Sequence, residues 1–252
     1  MEKKHLVVEI SNDFCALHEI NGATIQSLGE LVFTEKKEFQ QKERLSEFLK
    51  EKVSDLSSYE EMSVSWISSR ALLIPSSIFE PKEIKTLFST CFTSQIEATE
   101  LDYNRLSELS IVNIYEIPLW IKSFFVIRFP RVVIQHEYSM NLRGMMKSAF
   151  KLNVNVHVYP QMMTIQIVQR NEMLFCNAFE IQNENDVLYY LAFVMQQLNL
   201  VKEQGNLNFH LTQASQIIES ELKSNINKID TFKHLDVQFN SEKIIKFHQF
   251  CV

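Results

Sequence analysis

The chain has 252 residues, is 46% apolar and 22% charged, and carries a formal net charge of −6. A chain of this length buries roughly 70–75% of its unfolded surface, so stability requires neither disulfides nor a structural metal. The acidic balance gives no electrostatic reason to seek phosphate backbones, and nucleic acid is not an expected partner, because its binders concentrate basic residues on one face.

Cys15, Cys91, Cys176 and Cys251 lie far apart and form none of the close pairs that seed zinc sites or redox loops. They read as reduced thiols, and no metal is expected. Residues 1–5 are charged and run straight into a short strand, without the apolar stretch of a secretory signal. The greasiest segment, 117–130, contains Lys122 and Arg128, whereas a membrane-spanning helix takes about 20 mostly apolar residues. That segment therefore reads as core, no membrane insertion is expected, and the expected location is cytoplasmic. Glycine is scarce, with four in the whole chain against an average near ~7%. Backbone that approaches a phosphate closely depends on glycine, because a Cβ blocks the approach, so phosphate-cradling loops and a nucleotide cofactor are not expected. Neither a Walker loop nor a Gly-x-Ser-x-Gly elbow is present.

In chain order, Leu6, Val8 and Ile10 alternate with Val7, Glu9 and Ser11, the period of a strand. Residues 14–20 are strand-like again, Asn21-Gly22 is a tight-turn dipeptide, and 24–34 returns as a third strand. Residues 42–60 place Leu45, Phe48, Leu49, Val53 and Leu56 at helical spacing. Short extended pieces follow at 63–68 and 72–74, then a helix at 81–92 with proline in its first turn and a strand at 111–117. Residues 131–136 are strand-like, and 139–151 predicts a helix capped by Ser139.

The pattern then begins again. Val154, Val156 and Val158 alternate with Asn153, Asn155 and His157, followed by strands at 164–169 and 173–181 around an Arg170-Asn171-Glu172 turn. A helix at 185–200, a strand at 207–211 and a helix at 215–227 complete the second half. Aligning Glu9 with His157 sets the Gly22 turn opposite Asn171 to within a residue. Both halves read strand, strand, strand, helix, strand, helix, giving an α/β protein with mixed sheets and two lobes, 1–152 and 153–252.

This doubled pattern resembles the actin-like ATPase superfamily, with its ribonuclease H-like lobes. More specifically, Asn177-x-Phe179 with 184–190, and Leu73-x-Pro75 with 113–118 upstream, resemble an uncharacterised Bacteroidetes family, a domain of unknown function with an actin-like fold. The resemblance implies a bacterial protein and a phosphate loop after the first strand, Asp-x-Gly-Thr/Ser in the superfamily. Here the matching stretch is Glu9-Ile10-Ser11-Asn12, which keeps a carboxylate and lacks the glycine. In the second half His157 and Tyr159 stand where the aspartate and glycine would be, and Gly205 alone replaces the Gly-Gly turn of the adenosine site. The superfamily's phosphate-binding motifs are thus lost.

Glu9, Ser11, Asn12, His157 and Tyr159 are the candidate cofactor-binding positions at the expected cleft, and no residue is assigned a catalytic role. For Glu9 the favoured reading is a strand-end carboxylate satisfied by water or by the Ser11 hydroxyl. Cys15 and His18, three apart on a strand, point to opposite faces. His136-Glu137 lacks the spacing of a metal site. Asp186, Tyr189, Tyr190 and Phe193 lie partly off their helix's apolar stripe, favouring a helix buried on two sides over a cleft or partner surface. The expected function is a non-catalytic module, or pseudo-ATPase, that binds an unidentified protein. The alternative is a divergent phosphotransferase or small-molecule binder, and a nuclease-like reading ranks last.

Overall fold

The computed structural model describes residues 4–35, 37–92, 101–147, 151–215, 217, 219–239 and 241–251. The chain divides into two compact units, Met1–Arg143 with Ile245–Val252, and Gly144–Ile244.

In the first unit β1 (Lys4–Ile10), β2 (Phe14–Asn21) and β3 (Thr24–Val32) form an antiparallel meander. Next come α1 (Glu38–Lys52), β4 (Glu61–Trp66), β5 (Ala71–Pro75), α2 (Ile84–Cys91), β6 (Leu101–Leu106), β7 (Ile111–Glu116), α3 (Leu119–Arg128), β8 (Val133–His136) and α4 (Glu137–Met146). The main sheet has the order β3-β2-β1-β4-β8, with β4 parallel to both β1 and β8. Leu6, Val8, Ile10, Cys15 and Leu17 on one sheet face meet Leu45, Phe48 and Leu49 of α1 and Trp120, Ile121, Phe124 and Phe125 of α3 in a single core.

The second unit repeats the plan with β9 (Leu152–Val158), β10 (Met162–Gln169), β11 (Glu172–Glu180), α5 (Glu184–Gln197), β12 (Gly205–Leu211), α6 (Glu219–Ile226) and β13 (Leu235–Phe239), and α7 (Ser241–Ile245) leads into the C-terminal segment Ile245–Val252 of the first unit. Its sheet order, β11-β10-β9-β12-β13, matches the first strand for strand. Even the irregularities repeat. In the first meander Leu17 pairs with Gly29 and His18 with Ser27, leaving Leu28 as an extra residue. In the second, Ile167 pairs with Phe175 and Val168 with Met173, leaving Leu174 extra. Both tight turns use left-handed backbone, at Gly22 (φ 59) and at Arg170 and Asn171 (φ 52 and 62).

The structure corrects several sequence expectations. The helix expected at 81–92 is α2, which belongs to a separate antiparallel sheet, β5-β7-β6, with its own core of Ile74, Phe79, Phe88, Val112 and Ile114. The counterpart of α6 is α3, hidden in the sequence because its segment is apolar nearly all round and shows no polar face. β6 and β13 were not anticipated; their runs, Leu-Asp-Tyr-Asn-Arg-Leu and Leu-Asp-Val-Gln-Phe, are short and carry charge. The helix expected over 42–60 starts at Glu38 and stops at Lys52, where Val53 turns extended and Asp55 caps a short 3-10 turn, Leu56–Ser58. Ser139 does not cap its helix; it lies inside α4, and its hydroxyl accepts a hydrogen bond from Asn113 Nδ2 at 3.0 Å. Parts of the helices expected over 139–151 and 215–227 lie outside the described residues. α5 is capped by Asn183, whose side chain accepts from the Asn185 and Asp186 amides while the Asp186 carboxylate reaches back. It is not buried on two sides, since Tyr189 is 63% and Phe193 46% exposed.

Gly205 has a packing role. A Cβ there would lie 2.2 Å from the Leu152 carbonyl oxygen on the neighbouring strand. Gly205→Ala should therefore destabilise the second unit by about 2 kcal/mol, read as a lowered urea midpoint, whereas an unchanged midpoint would mean that β12 and β9 separate freely.

Candidate functional site

Because Leu6, Val8 and Ile10 face the helices, His5, Val7 and Glu9 occupy the opposite face of β1. The register sets Glu61, Ser63 and Ser65 of β4 beside them. His18 of β2 shares this face, and its Nε2 lies 3.1 Å from Glu9 Oε2 with both side chains buried. Glu9 thus has a partner in His18 that the sequence did not suggest, and the Ser11 hydroxyl serves the loop that follows β1. Its Oγ accepts from the backbone N–H of Asp13 (3.0 Å) and of Phe14 (3.2 Å), and Ser11 N donates to Phe14 O at 2.9 Å. The loop after β1 is closed on its own amides.

Asn12 projects outward and, with Asp13, Glu35, Glu38 and Trp120, lines a hollow of about 430 Å³. Its carboxylates make it electronegative, and the nearby Lys42 ammonium is paired with Glu38 at 2.7 Å. Cys15, as anticipated, points away from His18 into the apolar core, where burial and then the Glu9 and Glu30 charges push its thiol far up.

A trio that the sequence did not suggest lies on the same face. Ser63 Oγ is 2.8 Å from His5 Nε2 and 2.7 Å from His248 Nδ1. One hydroxyl donates a single proton, so it donates to one ring and accepts from the other. Ile245 packs with Val7 and Ile20, so the C-terminal segment covers this face of the sheet. Burial lowers His5 to about 4, against the opposing pull of Glu61. Ser63 comes beside β1 only through the β1–β4 register, and nothing local pointed to His248, 185 residues from Ser63.

In the second unit Val154, Val156 and Val158 enter the core, which leaves Asn153, Asn155 and His157 on the other face, all buried. Opposite them β12 carries Asn206, Asn208 and His210 in matched register. Asn206 Nδ2 donates to Asn153 Oδ1 (3.2 Å), Asn208 Nδ2 donates to Asn155 Oδ1 (2.9 Å), and the His157 and His210 ring centroids are 5.5 Å apart. Tyr159 is buried with its hydroxyl 3.4 Å from His157 Nδ1, and its amide donates to Met162 O across a turn through Pro160. The candidates thus form two local groups, Glu9, Ser11 and Asn12 in one unit and His157 and Tyr159 in the other. His136 uses both ring nitrogens, with Nε2 3.0 Å from Ser68 O and Nδ1 accepting from Tyr138 N, and burial lowers it to about 3.

The buried imidazoles set a pH dependence. The unfolded chain protonates a histidine near 6.5, while native His5 resists until about 4 and native His136 until about 3. The stability these two rings allow is complete above the unfolded value and is lost as pH falls from about 6.5 through about 4 for His5 and about 3 for His136. Thermal midpoints should decline across that window, and more gently in His136→Gln than in the unaltered protein; identical slopes would contradict the assignment.

No curated protein matches the chain. A Bacteroides thetaiotaomicron protein with actin-like ATPase fold and unknown function is similar over 100% of this chain and 97% of its own, at 20% identity and a TM-score of 0.74. The ethanolamine utilization protein EutJ of Carboxydothermus hydrogenoformans aligns over 98% of this chain and 89% of its own, at 7% identity and a TM-score of 0.48. A PilM-PilN type IV pilus biogenesis complex aligns over 98% and 95%, at 10% identity and a TM-score of 0.46. The first of these likenesses establishes the actin-like ATPase fold expected from the strand pattern. Residues 1–229 match the family described as Protein of unknown function (DUF3822), and the chain belongs to that family.

Proposed function

We propose that this chain is a non-catalytic actin-like module that acts by binding another protein. The observation that carries the reading is the closed loop after β1. A phosphate cradle offers free backbone N–H groups, and here Ser11 Oγ occupies those of Asp13 and Phe14. Glu9, at the superfamily's carboxylate position, is buried against His18. After β9, Pro160 supplies no N–H and Tyr159 fills the space a glycine would leave. Gly205 serves strand contact with Leu152 rather than an adenosine turn. Large apolar side chains at the surface, among them Leu119 and Ile127 of α3, supply area for a partner.

A second reading, a divergent phosphotransferase or small-molecule binder, draws support from the hollow beside Asn12 in the first unit. Its carboxylate walls favour a cation over a phosphate, which ranks this reading below the first.

Calorimetric titration of the purified protein with magnesium ATP should give no binding heat. Binding near the micromolar range, about −8 kcal/mol, together with ATP hydrolysis lost in Glu9→Ala, would overturn the non-catalytic reading.

A further inference from the structure

The two units share one plan but present different surfaces at the same place. In the first, the outer face of α1 is mostly charged, with Lys42 paired to Glu38, Arg44 to Glu47 and Lys52 to Glu51, and with Phe39 exposed in its first turn. At the bulge the first unit has Gly29 opposite Leu17, where the second has Phe175 opposite Ile167. In the second unit Phe175 and Phe179 of β11 and Tyr190, Tyr189 and Phe193 of α5 form an unbroken aromatic row. Successive ring centroids are 6.2, 4.6, 5.3 and 6.2 Å apart. The last two rings are the exposed ones.

Two further features define what this row fits. β11 is an edge strand, hydrogen-bonded among the described residues to β10 alone. The Ala178 amide donates to the side chain of its neighbour Asn177 at 2.9 Å, a local acceptor that an incoming carbonyl would replace. Past the bulge at Leu174, the register from Phe175 to Glu180 is regular. In addition, residues 171–201, which span β11 and α5, contain no Lys, Arg or His, while Glu172, Glu180, Glu184 and Asp186 are acidic.

Resting on the protein-binding reading above, we infer that the open edge of β11 and the aromatic row of α5 take an extended peptide segment whose apolar side chains alternate with Lys or Arg. Strand addition supplies the main-chain hydrogen bonds, alternate apolar side chains lie on the aromatic row, and the basic ones, on the opposite face of the added strand, lie on the side of Glu180. A second copy of this chain is the poorer occupant. Full-length antiparallel pairing of two β11 edges, centred on Cys176, would set Glu172 of one opposite Glu180 of the other, like charges in register. Anionic lipid and nucleic acid are repelled by the same carboxylates.

The test is selection of phage-displayed random peptides on the full chain, with counter-selection on the double variant Tyr189→Ala/Phe193→Ala, which removes only exposed side chains. The selected peptides should alternate apolar and basic residues. A synthetic copy should protect the amides of residues 175–180 from exchange, bind at least about ten-fold more weakly to the double variant, and weaken with salt. Failure to select any peptide, selection of acidic or helically spaced sequences, or equal binding to the double variant would overturn the inference. Peptides lost instead on Ile127→Ala would overturn it while leaving the protein-binding reading in place. Nucleotide turnover would remove that reading without altering the peptide result.

Discussion

The central strand of each five-stranded sheet is covered on both faces, and most of what resembles chemistry in this chain follows from that constraint. Every residue of β1 after Lys4, and every residue of β9, is buried. One face is apolar and packs on helices. The other carries polar side chains that must find partners inside the protein, since a buried polar group left unpaired costs about 1–3 kcal/mol. The Glu9–His18 pair, the His5–Ser63–His248 bridge and the matched asparagines of β9 and β12 are three solutions to that requirement.

The same constraint bears on the loops that the non-catalytic reading takes as the counterparts of phosphate loops. A strand leaving a doubly covered position must turn within a few residues, and Ser11 makes that turn with its own hydroxyl. Gly22 and Gly205 stand at a left-handed turn and at a close strand contact. The scarce glycine of this sequence serves the sheet, and at the two strand ends Ser11 and Pro160 with Tyr159 stand where flexible backbone would be needed.

Much of the fold was legible because its two strand faces differ in polarity. The alternation of Val154, Val156 and Val158 with Asn153, Asn155 and His157 reveals both β9 and its polar side. α3 was illegible as a helix because Leu119, Val126 and Ile127 stay apolar even at the surface and erase the contrast that periodicity needs. Its misreading shifted the counterpart of α6 onto α2, which belongs to the inserted sheet. Glu9 stood out as a carboxylate at a strand end, but its partner depends on the hairpin register that carries His18 diagonally across to it. His248 depends on the return of the C-terminal segment, which no local pattern encodes. On α5 the sequence marked Tyr189 and Phe193 as off the stripe and assigned them the wrong side of the surface, since apolar character alone does not say which face is covered.

The closed loop after β1 is the feature on which the non-catalytic account rests, and amide hydrogen exchange at Asp13 and Phe14 tests it most directly. Both amides should exchange slowly, at rates unaltered by millimolar magnesium ATP, and both should be released in Ser11→Ala. Fast exchange in the free protein that slows when nucleotide is added would show donors available to a phosphate, and would contradict the account.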